Sequence, residues 1–178
     1  ETGQDCKIVR IGLSGLSALE HYKLGQCIAE AAEGLGRRTV IIASGDLSHK
    51  LKEEGPYGFA AEGPVFDRQV TQALQDGAFD RLLAFDPDFC ESAAECGLRS
   101  FQIMAGAFDR KEVKSRLLSY EGPFGVGYAV ATFEVTGDNA ERDFGRRYRQ
   151  AQEQTLRAMR DAEGSYVGLV RFSLAHAV

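Results

Sequence analysis

The residues best placed to do chemistry are few. The chain of 178 residues holds three histidines, His21, His49 and His176, and four cysteines, Cys6, Cys27, Cys90 and Cys96. His49 closes the run SGDLSH at 44–49, directly after an apolar stretch at 38–43. Open α/β sheets place catalytic and binding groups just past the carboxyl ends of buried strands. An imidazole there can take and return protons near neutral pH. Asp46 and Ser48 supply hydrogen-bonding partners on either side of it, and Gly45 allows a sharp backbone turn. His21 falls at the start of the first predicted helix and is expected at its surface. His176 has no visible partner.

A second group lies in AECGLRS at 94–100. Glu95 and Cys96 fall at a predicted helix break, where either a carboxylate or a thiolate could ligate a metal. Arg99 could steer an anionic substrate or pair with Glu95. One histidine and one acid do not make a complete site, because a facial triad needs two imidazoles and a carboxylate. The cysteines follow no zinc-ribbon spacing, so a structural zinc site is not expected. Cys27 lies on an apolar helical stripe and is expected in the core. The glycine-rich stretch GPFGVGY at 122–128 precedes a strand rather than a helix, so it reads as a tight turn into a central strand and not as a phosphate loop.

The elements that must carry these groups follow from periodicity. Residues 7–13 and 38–43 are short β-branched runs that read as buried strands. Between them, Leu24, Cys27, Ile28, Ala31 and Ala32 mark one face of a helix over 18–35, ended by Gly34 and Gly36. Further helices are expected over 64–74, 78–85 and 88–94, with another running to Phe108 after a break at Cys96-Gly97. Strands are expected at 113–120 and 124–135, the second with Val126, Tyr128 and Val130 packed as in a central strand. A strand–helix–strand start with short loops builds a parallel sheet. The expected class is α/β: an α/β/α sandwich around a mostly parallel mixed sheet, followed by C-terminal helices.

Bulk composition narrows the function. With 44% hydrophobic and 26% charged residues the chain is ordinary globular protein, enough for one domain and part of another. A formal charge of −5 argues against a nucleic-acid footprint. No signal peptide is visible and no apolar run approaches the ~20 residues that span a bilayer, so a cytoplasmic location without membrane contact is expected. Residues 138–163 carry six arginines against six acidic residues, the balance of a solvated connector helix. Ser165 could cap a further helix over 166–177. The chain opens on Glu1 and stops at Val178 inside a helical pattern, so it reads as a fragment.

Three motifs in order, IIASGDLSH, AECGLRSFQIMAGAFD and YEGPFGVGYAVATFE, resemble the C-terminal half of the class III extradiol ring-cleavage dioxygenases, within them the Memo-like branch. The final GSYVGLVRFSLAHAV resembles the opening helix of an AMMECR-type domain, a pairing typical of the AmmeMemoRadiSam system protein A fusions. The resemblance implies three regions: 1–136, the C-terminal part of an extradiol-dioxygenase-like domain; 137–163, a charged helical linker; and 164–178, the start of an AMMECR-type domain. It implies that His49 is the acid/base residue beside a ferrous ion, Fe(2+), held by two histidines of an N-terminal half and one later residue. That later residue is glutamate in the ring-cleaving enzymes and cysteine in Memo-like proteins, so Glu95 and Cys96 compete for it. Without the two histidines the fragment alone is not expected to hold iron. The implied activity is ring cleavage of a catechol-like or other small substrate; the alternative is a Memo-like module that binds metal or ligand without cleaving rings, working with the fused AMMECR-type domain and a radical-SAM partner.

Overall fold

The computed structural model describes residues 7–162, together with 164, 167, 168, 172 and 173. Helix α1, Ala18–Gly34, begins on a reciprocal cap: Ser17 and Glu20 satisfy one another's free backbone N–H groups. It is followed by α2 (Glu62–Asp76), α3 (Asp80–Leu83), α4 (Pro87–Ala93) and α5 (Leu98–Ala107). Gly77 ends α2 in the left-handed conformation, and Asp86 caps α4 through the Phe89 N–H. Strands β1 (Lys111–Glu121) and β2 (Tyr128–Asp138) form an antiparallel hairpin, and α6 (Phe144–Asp161) follows.

The class is mixed α/β, but the described residues carry a two-stranded antiparallel sheet rather than a mostly parallel one. The runs at 7–13 and 38–43, expected as buried strands, have no regular structure. No backbone hydrogen bond joins either run to a neighbouring strand, and Val9 and Val40 are 83% and 87% exposed. A strand is defined by the ladder it shares, and among the described residues there is none for these runs to share. The segment at 122–127 is a turn, so the strand expected from 124 begins only at Tyr128, and β2 is not central. It exposes Tyr128 and Val130 and turns Ala129, Ala131 and Phe133 towards the core.

The core lies between the hairpin and the helices. Phe79 anchors it, with Phe108, Phe133 and Phe144 packed around its ring at centroid distances of 5.2–6.3 Å. Phe144 belongs to the expected connector, whose first turn is thus embedded; Tyr148 still packs against the core, and α6 is exposed from Arg149 on. The face that α1 buries also differs from the expected one. His21, Tyr22 and Gly25 point inward, whereas Cys27 is exposed. His21 is therefore a buried cap residue, its Nδ1 3.0 Å from Ser17 O and its Nε2 3.3 Å from Ser14 Oγ. The reason is glycine: α1 crosses α5 where Gly25 and Gly106 let the two backbones touch. Tyr22 and Gln26 then both donate to Asp109, just past the end of α5. No helix among the described residues is long and apolar enough to cross a membrane.

Candidate metal centre

The loop at 44–51 is tied down by its own backbone, so His49 occupies a defined place. Asp46 N donates to Cys96 Sγ (3.2 Å), Leu47 N to Gly127 O (2.8 Å) and Ser48 N to Asp67 Oδ1 (2.8 Å). His49 N reaches Ala93 O (3.2 Å), Lys50 N reaches Ser48 Oγ (3.0 Å), and Leu51 N reaches Gly125 O (3.0 Å). Every N–H from 46 to 51 thus has a partner, as buried or half-buried backbone requires. Ser48 is fully buried and also donates its hydroxyl to Ala93 O. Gly45 has a packing role: a side chain there would meet Gly97 Cα at 2.4 Å.

The same contacts bring the second motif to the first. Ala93 ends α4, and its carbonyl receives both Ser48 and His49. Ala94 then takes a left-handed turn (φ 52°), and Cys96 N comes back to Asp46 O at 3.4 Å. As a result Cys96 Sγ stands 3.9 Å from His49 Nε2, and Asp46 Oδ2 stands 3.4 Å from the same nitrogen. The three candidate ligand atoms of Asp46, His49 and Cys96 all lie within 4.8 Å of one another. The cluster is open: Cys96 is exposed, and Asp46 and His49 are partly so.

Glu95 is engaged by a backbone N–H instead. Its carboxylate accepts the Leu98 N–H at 2.7 Å and so caps α5, where the positive end of the helix dipole favours it. Burial raises its pKa, a shift opposed by the Leu98 hydrogen bond, Arg99 and His49. Arg99 is exposed on the first turn of α5 and acts on Glu95 through space; no ion pair within 4 Å joins them among the described residues. Cys90, in the same region, is kept protonated: burial first, then Glu95 and Asp86, push its thiol up to about 12.

Three further residues shape this centre and escaped the sequence reading. Tyr57 stacks on His49, ring centroids 5.1 Å apart and planes at 23°. Asp67 and Tyr120 brace the loop from beneath, Tyr120 donating to Asp67 Oδ2 at 2.7 Å. Asp67 had a readable signal, an acid beside Phe66 and among Val70, Ala73 and Leu74 on the buried face of α2. Tyr57 had none, since it sits in a polar loop without periodicity.

The turn at Ala94 offers a local check. A non-glycine residue in the left-handed region carries a steric cost of about 1 kcal/mol, only partly offset by the lower unfolded-state entropy of alanine. Ala94→Gly is therefore expected to raise the urea midpoint, by a gain on the order of 0.5 kcal/mol. A lower midpoint would count against the turn as described.

Against this geometry, the pattern of the catalytic LigB subunit of aromatic ring-opening dioxygenase matches residues 2–131. The chain belongs to the LigB family. Among similar proteins, Protein CA_C1420 of Clostridium acetobutylicum is 38% identical over 172 residues, covering 96% of this chain and 36% of that protein. MEMO1 family protein PF1638 of Pyrococcus furiosus is 29% identical over 136 residues, covering 70% of this chain and 45% of that protein. The LigB-type chain thus spans less than half the length of either relative. The LigB match takes in both motifs of the cluster, and the longer similarity to the clostridial protein continues beyond it.

Proposed function

We propose that this LigB-type chain is a Memo-like metal-binding module in which Asp46, His49 and Cys96 supply donors to one divalent ion. The observation that carries the reading is the convergence of a carboxylate, an imidazole and a thiol within 4.8 Å. Such a mixed O, N, S set fits ferrous iron or zinc better than magnesium or calcium, which prefer oxygen alone. Ferrous iron, Fe(2+), is the ion the family implies. Bound there, it would supply Lewis acidity and one-electron chemistry to a small molecule beside it. The chain's own contributions are more specific. Tyr57 covers one face of the His49 imidazole, and the loop's bonds hold Asp46 and His49 against the end of α4. Glu95, engaged at the α5 cap, leaves Cys96 as the neighbouring donor.

The second reading is a ring-cleaving dioxygenase acting on a catechol-like substrate, supported by the match to a catalytic LigB subunit. There His49 would move protons as the ring opens, and Arg99 would attract an anionic substrate. Under either reading the unpaired apolar runs at 7–13 and 38–43 become inner strands of a mostly parallel sandwich completed by further strands. The likeness of 164–178 to an AMMECR-type opening supports a fused domain after the 137–163 linker, a cytoplasmic setting and a radical-SAM partner.

Metal analysis of the anaerobically purified full-length protein, paired with oxygen uptake on catechols, separates the two. Bound iron without uptake is the expected result; uptake that His49→Ala abolishes while iron is retained would establish the enzyme instead. Protein that binds no divalent metal would sink both.

A further inference from the structure

We propose that Asp67 is a positioning residue of the Asp46, His49 and Cys96 centre, a buried carboxylate that fixes the backbone carrying two of its three donors. The proposal rests on the reading of that cluster as a metal site and adds to it a residue from outside both motifs.

The case begins with burial. Asp67 is 0% exposed in the middle of α2, where an apolar side chain would cost nothing in desolvation. No cation lies within ion-pair distance of it among the described residues. Its carboxylate is instead met by two neutral donors, Ser48 N–H on Oδ1 at 2.8 Å and Tyr120 O–H on Oδ2 at 2.7 Å. Burial raises its pKa, with the Tyr120 and Ser48 hydrogen bonds and the nearby His49 opposing the rise. A fold that needed only a core here would not place an acid.

What the acid achieves is clear from its partners. Ser48 lies between Asp46 and His49, and its N–H is the only one from 46 to 51 taken by a side chain of another helix. The neighbouring bonds belong to the strand lead-in at Gly127 and to the α4–α5 junction. Gly127 closes over the carboxylate so tightly that a Cβ would stand 1.9 Å from Oδ2. Asp67 thereby joins α2, β1 and the 122–127 turn to one peptide, and that peptide sets the direction of the Asp46 and His49 side chains. Outer hydrogen bonds of this kind hold metal-binding groups in their productive rotamers.

Titration of the protein with Co2+ tests this, read by the thiolate-to-cobalt band in the near ultraviolet and the visible ligand-field bands. Asp67→Ala is expected to weaken Co2+ binding by about 10–100-fold and to alter the visible bands. Asp67→Asn should restore binding to within about threefold, since the amide oxygen still accepts from Ser48 and its NH2 can donate to Tyr120. Val70→Ala, a buried cavity variant one turn along α2, should lower stability and leave affinity unchanged. Unchanged affinity in Asp67→Ala, or an equal loss in Asp67→Ala and Val70→Ala, overturns the proposal while leaving the metal site intact. If wild-type protein itself shows no thiolate band, the metal-site reading falls and takes this one with it. Where Asp67→Ala does not fold, Tyr120→Phe decides: about a threefold loss with shifted bands supports the role, and wild-type binding refutes it.

Discussion

Cys96→Ala should remove the thiolate-to-cobalt band entirely and weaken divalent metal binding by roughly two orders of magnitude. The size follows from affinities of about 10–16 kcal/mol for structural zinc shared over four ligands, or roughly 3 kcal/mol per ligand. Glu95→Gln is the matched control. The side chain at 95 is occupied by the Leu98 N–H, and a glutamine oxygen can accept the same bond. Its metal affinity should stay within about threefold of wild type, with a small loss of stability from the weaker interaction at the α5 terminus. The reverse result, binding lost at 95 and kept at 96, would mean that the α4–α5 junction turns the other way when metal is bound.

The second large effect concerns stability. Gly106→Ala would ordinarily be favourable inside a helix, by about 1 kcal/mol, because alanine loses less backbone entropy than glycine. Here packing opposes propensity. The added Cβ would stand 1.8 Å from Tyr22 O and 2.7 Å from Tyr22 C, both backbone atoms of α1 that no side-chain rotation can clear. Separating the helices also strains the bonds from Tyr22 and Gln26 to Asp109. Overpacking of a close contact costs about 1–3 kcal/mol and more when the obstacle is backbone, so the net destabilisation should be about 3 kcal/mol or greater. Against a total stability of roughly 5–15 kcal/mol this is a large share. Urea unfolding followed by circular dichroism measures it, and a midpoint equal to or above wild type would show that α1 and α5 do not cross at these glycines.

These two cases also mark how far the sequence could be read. The span of α1 was legible from its apolar repeat and from Gly34 and Gly36, which stop helices. Its buried face was not, because hydrophobic periodicity gives weight to Leu24 and Cys27 and none to Gly25, whose value lies in having no side chain. The strand at 113–120 was legible and that at 124–135 only from Tyr128 on, whereas the runs at 7–13 and 38–43 have the composition of buried strands without a ladder among the described residues. In the candidate centre, His49 and the Glu95-Cys96 pair stood out by type and place. That Cys96 Sγ reaches His49 while Glu95 accepts the Leu98 N–H depends on the left-handed turn at Ala94, and adjacency in sequence cannot reveal which way such a turn points. In sequence Asp46 is a hydrogen-bonding neighbour of His49; its place within 4.8 Å of Cys96 emerges only when α4 and α5 close on the loop.

Cys96 is exposed as well as close to His49 and Asp46. Sulfur in that position is open to air and peroxide, and conversion to the sulfinic acid is irreversible for most proteins. Because the side chain is exposed, such damage would cost the fold little beyond the Asp46 N–H bond to Sγ, while removing the sulfur of the proposed centre. The history of a sample, and not only its sequence, thus decides whether the proposed centre keeps its sulfur.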